Sequence, residues 1–427
     1  MARCSACVLF VLALTAGGLP AWASSEDERV DYPAALPPQD AVHATMAQAT
    51  RVRSGREQIA IGREQERKLR IGPYEWETAV TARERRDQGG QSFSDQQYEL
   101  IRRWRLPGKG NLDRRMGGVI AGIGENAYAD AWHETGRTLL SAWFDWLRAT
   151  RAETLLGAQE ELIERESEVL ARRVARGDAP RLDQQRTEVA RAQMQAALAE
   201  SKRRTEEVRL LLQRDYPDLP LVPPAVIPNP PSPSGNEQTW VDTILRENHE
   251  IELAQGRADA AALLATRARR DRLPDPSIAL QFSDNLDQNR HVIGVRVSIP
   301  IGASGRAADA ALARSQATLA EVESEQVRRA VEATARIDVV NARGSWLQWQ
   351  RLAEAAQQAE SAANAVARGY EVGELSITDL LISRRQQLEA QLQADAALLN
   401  AHEARARLWL DAHKIWAPDE SGFRVAH

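Results

Sequence analysis

The sequence predicts a mainly α-helical fold in which one long helical hairpin occurs twice, each copy preceded by a pair of β-strands. Three features carry this prediction: a repeated glycine–acid motif, two long proline-free segments rich in Ala, Glu, Gln and Arg, and apolar alternation ahead of each segment. Aromatic residues are only 5% of the 427 residues, which suits long helices better than a thick globular core. The net charge of −5 gives no indication of a nucleic-acid partner.

The first residues are typical of a secretory signal peptide. A basic residue precedes a short apolar run at residues 8–14, and small residues follow it up to Ala23. We therefore expect residues 1–23 to be removed on export. Cys4 and Cys7 lie in this segment, so the exported chain would contain no disulfide. No other segment offers the roughly 20 apolar residues that a membrane-spanning helix needs.

The first repeat is predicted to span residues 24–215. Its strand segments are residues 74–80 and 98–107, and its long helix runs from about residue 111 to Gly177. At roughly 65 residues, this helix would be about 100 Å long. Residues 182–214 are expected to form a shorter helix that returns beside it. Helices of this length need lateral partners, which predicts coiled-coil packing.

The second repeat is predicted to have the same organisation after an extended connector. Residues 216–235 are the connector, because their many prolines favour a polyproline-like conformation. The repeat itself covers residues 236–417, and residues 418–427 are a short tail. Its predicted strands are residues 277–282 and 291–300, its long helix residues 305–369, and its returning helix residues 377–414.

The glycine–acid motif marks the tip of each hairpin. Gly177 and Gly373 are 196 positions apart, and so are Asp183 and Asp379. Solenoid repeats are about 20–50 residues long, so a period of this length indicates duplication of one large hairpin. The copies differ, because the second has Tyr370 where the first has valine, and serine where the first has proline.

The strand segments have the pattern and length of strands that cross a bilayer. Residues 292–299 alternate between a mixed face and a face of Ile and Val. Each segment approaches the 9–11 residues that a tilted membrane strand needs, at about 3.3 Å per residue. Four strands cannot close a barrel alone, and an open edge cannot face lipid. If these strands lie in a membrane, several chains must share one barrel.

These features together resemble the TolC-like outer-membrane efflux channels of Gram-negative bacteria. The residues that carry the resemblance are Tyr370-Glu-Val-Gly-Glu-Leu-Ser-Ile-Thr-Asp-Leu-Leu, its weaker copy at Gly177, the strand end Val297-Ser-Ile-Pro-Ile-Gly, and the duplication itself. Leu106-Pro-Gly-Lys-Gly and Leu273-Pro-Asp-Pro look most like the heavy-metal efflux branch of that family.

The resemblance implies a homotrimer in the outer membrane with a long periplasmic extension. Three chains would supply twelve strands to one shared β-barrel in contact with outer-membrane lipid, and twelve helical columns to a trimeric α-barrel. The tips would dock a periplasmic adaptor (membrane fusion) protein that joins an inner-membrane pump of the RND type. The chain would conduct passively what the pump expels, and the heavy-metal branch would make metal cations the cargo. The resemblance implies no cofactor and no bound metal.

The resemblance also implies roles for five tip residues. Asp183 and Tyr370 match positions that hold the family's tip closed, and they could hydrogen-bond across neighbouring helices. Asp379 matches the constriction carboxylate, and a ring of three such acids would favour cations. Gly177 and Gly373 would turn the backbone and let the adaptor approach closely. The alternative for each glycine is that it only ends a helix.

The tip departs from the family pattern at two positions. Leu375 stands where an arginine is often found, and Ile382 stands where the family has a second acidic ring. We therefore expect a simpler lock on the closed state.

Other readings of the sequence are weaker. Gly122-Ile-Gly-Glu-Asn-Ala127 matches a relaxed dinucleotide fingerprint but does not follow a convincing strand. His133-Glu134 lacks the second histidine of a zinc-binding helix. Because no triad or phosphate-binding loop stands out either, we expect no enzyme. The alternative to a channel is a soluble periplasmic coiled-coil adaptor or scaffold protein, which would lack paired strands before both long helices.

Overall fold

The computed structural model describes residues 32–86, 88–285 and 290–418. The predicted signal peptide and all but the first residue of the predicted tail lie outside these residues. The described chain is mainly α-helical and contains one four-stranded sheet, as the sequence predicts. The first half contains α1 (Gln39–Gln48), α2 (Thr50–Ile71), β1 (Trp76–Arg86), β2 (Ser92–Arg103), α3 (Lys109–Ala175) and α4 (Arg181–Asp215). The second half contains α5 (Glu237–Arg246), α6 (His249–Asp271), β3 (Ser277–Asn285), β4 (Arg290–Ser298), α7 (Ser304–Glu371) and α8 (Ile377–Asp411).

The sequence analysis missed the helix pair that opens each half, namely α1 with α2 and α5 with α6. Gly55 and Gly62 lower the local helix preference of α2, because glycine costs about 1 kcal/mol relative to alanine inside a helix. Both glycines are needed for packing on α3. A Cβ on Gly55 would lie 3.0 Å from the Cβ of Ala131, and one on Gly62 would lie 3.0 Å from the carbonyl oxygen of Ile120. Tertiary packing therefore outweighs local preference here.

The segment Gly122–Ala127, which matched a relaxed dinucleotide fingerprint, lies in the interior of α3. It does not join a strand to a helix, as the fingerprint requires. A Cβ on Gly124 would lie 2.6 Å from the carbonyl oxygen of Gln58 on α2. This glycine therefore allows two helix backbones to approach closely.

The helices form four parallel columns. On one side of α3, α2 covers the half nearest the strands and α4 covers the half nearest the tip. On its other side, α6 and then α8 lie between α3 and α7. Thus Arg267 of α6 pairs with Asp113 of α3, and Arg148 of α3 pairs with Glu403 of α8. Each long helix gains the lateral partners that its length predicts.

The sheet is antiparallel in the order β1-β2-β3-β4, so β1 and β4 each have an edge without a partner in the described chain. Val80, Tyr98, Phe282 and Ile293 lie opposite one another across the four strands. All four are exposed on one apolar face. The sequence analysis located all four strands, but it ended β1 six residues too early and placed β2 at residues 98–107 instead of Ser92–Arg103. Among the described residues, none of the helices combines the length and the apolar character that crossing a bilayer demands.

The thickest part of the core lies halfway along the helices, in a layer that we call the equatorial belt. It consists of residues 33–48, 216–246 and 412–417, packed against the middle of α3 and α7 and the C-terminal end of α8. Indole N–H groups of the long helices donate hydrogen bonds to backbone carbonyls of its irregular segments. Trp143 Nε1 donates to Ala35 O at 2.8 Å, and Trp346 Nε1 donates to Pro230 O of the connector at 3.1 Å.

Candidate functional site: the two helical tips

The two tips share one backbone conformation. Gly177 has φ +83° and Gly373 has φ +82°, which only glycine adopts readily. Asp178 N donates to Arg173 O at 2.8 Å, and Glu374 N donates to Gly369 O at 2.9 Å. Each helix therefore ends in a Schellman motif with glycine in the left-handed position. The duplicated motif in the sequence is a duplicated turn in the structure.

Neither tip glycine is required by crowding. A Cβ on Gly177 or on Gly373 would meet no atom of the described chain within 4 Å. The left-handed φ alone therefore explains both glycines. The open space also leaves the backbone of each tip accessible to another molecule.

The returning helix of the second tip begins with a capping box. Ser376 Oγ accepts from Asp379 N at 3.2 Å, and Asp379 Oδ2 accepts from Ser376 N at 3.1 Å. The Ser376 hydroxyl also donates to Asp379 Oδ2 at 2.6 Å. These hydrogen bonds from Ser376 hold the pKa of Asp379 below its usual value. Asp379, the predicted constriction carboxylate, therefore also fixes the start of α8.

The returning helix of the first tip has no capping box. Its N-cap residue is Pro180, whose side chain makes no capping hydrogen bond. Asp183, the counterpart of Asp379, has its carboxylate 3.8 Å from Arg186 Nη1. Arg186 in turn donates to Thr378 Oγ1 at 2.9 Å, which connects α4 to α8.

An apolar cluster joins the two tips. Leu170 of α3 packs with Ile377 and Leu380 of α8, and all three are buried. Tyr370 packs against this cluster, and its hydroxyl accepts from Arg173 Nη1 at 3.5 Å. Burial, above all, raises the pKa of Tyr370, so its hydroxyl stays protonated at neutral pH.

The structure brings Tyr370 of the second tip beside the first tip, but through a residue that the sequence analysis missed. Within the chain, Arg173 contacts the hydroxyl of Tyr370, and Asp183 lies beside Arg186. A hydrogen bond between Asp183 and Tyr370 across neighbouring helices therefore stays a prediction. Aligning the two repeats could have pointed to Arg173. It is a long charged residue at the position where the second repeat has Gly369.

A groove of about 370 Å³ lies above the tips, between α4 and α8 with α3 beneath. Leu162, Met194 and Leu381 are among its apolar residues. Glu166 and Arg384 lie in it 3.6 Å apart as an ion pair. Ile382, where the family has an acid, also lines this groove. No group of three His, Cys, Asp or Glu side chains in the described part of the chain is arranged to hold a metal ion.

The fold therefore consists of two long helical hairpins in four columns, joined to a four-stranded sheet whose outer strands lack partners in the described chain. Comparison with solved structures identifies this fold in particular proteins. The Campylobacter jejuni CmeC outer membrane channel superposes with a TM-score of 0.75 at 15% identity, covering 90% of this chain and 87% of CmeC. CusC gives 0.74 at 12% identity, covering 89% and 93%, and the Vibrio cholerae outer membrane protein VceC gives 0.73 at 15% identity, covering 88% and 99%.

No protein-family model and no curated protein sequence matches the chain. At 12–15% identity, the structural likeness establishes the fold, and it extends over nearly the whole chain. The predicted resemblance to TolC-like channels is therefore confirmed at the level of structure.

Proposed function

We propose that the chain is the outer-membrane exit duct of a tripartite efflux system and conducts passively what an inner-membrane pump expels. The observation that carries this proposal is the combination of four helical columns with a sheet whose two outer strands lack partners among the described residues. A soluble adaptor or scaffold protein has no need of an apolar sheet with open edges. The shared fold with CmeC, CusC and VceC supports the same conclusion.

The two faces of the sheet differ as the strands of a membrane barrel require. One face is apolar and exposed. On β4, this face contains Ile293, Val295 and Val297. On the other face, Glu99 accepts from Gln281 Nε2 at 2.7 Å and pairs with Arg296 across β2, β3 and β4. An apolar outer face and a polar inner face are typical of barrels that surround water. The apolar face would contact outer-membrane lipid.

Free surfaces on the helices support a homotrimer. Leu312, Leu319, Val340 and Leu347 recur in one heptad phase along α7, and each is more than half exposed. Such a stripe is a coiled-coil seam, and it has no partner within the described chain. A second copy would cover it with the α2 and α4 column, while β4 of one copy paired with β1 of the next. Three copies would give twelve strands and twelve columns.

We place the gate at the second tip. Asp379 is exposed, and because its pKa lies below the ordinary value of an aspartate, it is ionised at neutral pH. Three copies would form a ring of carboxylates that favours cations. Asp183 and Tyr370 would hold the closed state between chains, and Gly177 and Gly373 would lie where a periplasmic adaptor protein docks. An RND-type pump joined through the adaptor would supply the energy.

Heavy-metal cations are the cargo that the resemblance favours. The two segments that carry this resemblance, residues 106–110 and 273–276, form one joint between the sheet and the helices. Lys109 Nζ, which is buried, donates to Leu273 O at 2.7 Å and to Asp275 Oδ1 at 2.8 Å. Tyr74 also donates to Asp275 Oδ2 at 2.7 Å. These hydrogen bonds hold the two segments together as one structural unit. Selectivity for cations would arise elsewhere, at the ring of Asp379 carboxylates.

Membrane fractionation and bilayer recordings test the duct. We expect the protein in the outer-membrane fraction, released only by detergent, and single-channel currents from the purified protein. Asp379→Asn should lower the preference for cations while keeping an acceptor for the helix cap. The control is Glu389→Gln, which removes an exposed acid farther along the same helix. Recovery in the soluble periplasm would favour the adaptor alternative, and unchanged selectivity would remove Asp379 from the gate.

A further inference from the structure

A cluster of ionisable side chains lies in the equatorial belt, where α8 ends at Asp411 and α6 begins at His249 in the same column. The duct function does not use it. Its members come from every helix that meets there: Asp130, His133, Glu134 and Arg137 of α3, His249, Glu250 and Glu252 of α6, Asp338 of α7, Arg407, Asp411 and His413 at the end of α8, and Arg51 of α2 beside Glu134.

Asp411 is the fixed anion of the cluster and is only 1% exposed. Arg137 binds both of its oxygens at 2.9 and 3.0 Å, and Arg407 Nε lies 3.2 Å away. His133 Nε2 lies 3.2 Å from Asp411 Oδ1. Burial opposes ionisation, but the contact with His133 and the hydrogen bonds from Arg137 hold the pKa of Asp411 below its usual value. This carboxylate is therefore ionised at neutral pH.

His413 is held in a different way. Both of its ring nitrogens are buried without a hydrogen-bond partner in the described chain. Its ring stacks on His133 with centroids 5.2 Å apart, and His249 meets it edge-on at 5.0 Å. Its φ of +54° is uncommon for a residue other than glycine. Burial and the two neighbouring imidazoles lower the pKa of His413 to about 4, so the ring packs as a neutral group.

Asp338 of α7 faces Asp411 in the same cluster. It is 9% exposed, and its Oδ2 has no hydrogen-bond partner in the described chain. Burial, followed by hydrogen bonding to Asp411 and repulsion from it, raises the pKa of Asp338 to about 7. Near neutrality the cluster therefore holds a proton on a carboxyl group of α7. Burial also lowers the pKa of His249, so the rings of His249 and His413 are both uncharged there.

We propose that this cluster is an acid-responsive joint between the end of α8 and the start of α6. At neutral pH, the uncharged ring of His413 packs edge-on against the uncharged ring of His249, with centroids 5.0 Å apart. In acid, positive charges would appear on rings about 5 Å apart, and Asp338, already protonated, could not offset them. The repulsion would release residues 412–416 from α3, where Trp132 Nε1 donates to Trp416 O at 2.7 Å. Helix α8 also leads to the second tip. An effect of this joint on gating at that tip would rest on the proposed duct function.

Hydrogen exchange of the detergent-solubilised full chain tests the joint without relying on conduction. Corrected for intrinsic rates, amides of residues 412–416 and of the first turn of α6 should exchange about tenfold faster at pH 4.5 than at pH 7. His413→Asn should abolish most of this increase, and asparagine tolerates the left-handed backbone. His402→Asn, which alters another buried histidine of α8, should retain it. Equal exchange at both pH values, or the same increase in His413→Asn, would overturn the proposal.

Thermal unfolding gives a second test with opposite signs. The pKa of His413 is about 4 in the fold against an ordinary 6.5, so its contribution to stability is lost as the pH falls from 6.5 to 4. The pKa of Asp338 is about 7 against 3.8, so its contribution is lost as the pH rises from about 4 to 7. On acidification, the melting temperature of the wild type should fall relative to His413→Asn and rise relative to Asp338→Asn. Parallel changes would contradict a shared proton cluster.

Discussion

The two tips have the same turn but fasten their returning helices differently. Both end the long helix with a left-handed glycine and the same pair of hydrogen bonds. The second tip then starts α8 with the reciprocal capping box of Ser376 and Asp379, whereas the first starts α4 at Pro180 without a side-chain cap. Backbone geometry has thus been kept after duplication while side-chain chemistry has diverged.

Because of this divergence, the second tip makes contacts within itself, whereas the first tip contacts the second. A Cβ on Gly369 would lie 2.7 Å from Leu375 Cδ1, so the second tip folds over its own helix end. At the corresponding positions the first tip has Arg173 and Ala179. With no large residue to cover it, Arg173 extends to Tyr370. The second tip is therefore fixed internally, and the first tip is fixed against it.

The largest effect should come from removing the contact between the tips. Leu170→Ala opens a cavity in the cluster with Ile377 and Leu380, which should cost about 2–5 kcal/mol locally. We expect hydrogen-exchange protection to fall at both tips. Leu182→Ala, at an exposed position on the first turn of α4, is the control and should change stability by less than about 0.5 kcal/mol. Loss of protection at the first tip alone would show that the tips are independent.

The next effect should be equal at both tips. Gly177→Ala and Gly373→Ala each force a side chain into the left-handed region, and each should cost about 1–2 kcal/mol. Because an added Cβ meets no atom within 4 Å at either site, no clash distinguishes them. Asparagine at either position should be milder. Unequal melting temperatures for the two alanine variants would contradict the shared conformation.

The sequence predicted the long helices and tips well because their signals are local. Absence of proline, the Gly–acid turn and the alternation at residues 292–299 each determine nearby structure. It failed at α2, where Gly55 and Gly62 favour helix only through contact with α3. It also missed Arg173 with Tyr370 and His413 with His133, because each pair is brought together from distant parts of the chain. The predicted ring of Asp379 carboxylates stays a prediction, because it depends on neighbouring chains and no local signal determines it.

A smaller effect should follow from exchanging the caps. Ser376→Ala should cost about 1 kcal/mol by removing the cap of α8. It should also weaken the loss of stability in acid, because the lowered pKa of Asp379 stabilises the fold above its ordinary 3.8, and that contribution disappears as the pH falls. In the first tip, Pro180→Ser would create Ser-x-x-Asp with Asp183 and should gain up to about 1 kcal/mol. Pro180→Ala is the control, and equal stability of the two variants would mean that no cap forms.

The smallest effect on stability should come from Tyr370→Phe. The hydrogen bond from Arg173 is long at 3.5 Å and partly exposed, so its loss should cost no more than about 0.5 kcal/mol. The ring, with the Arg173 guanidinium carbon 5.8 Å from its centroid, would remain. If the hydroxyl serves only this contact, channel currents should be unchanged as well. If it binds Asp183 of a neighbouring chain, the open fraction should rise although the melting temperature does not change. Asp183→Asn should then raise the open fraction less, because asparagine keeps an acceptor oxygen. A large loss of stability without a change in current would assign Tyr370 to the packing of the tips alone.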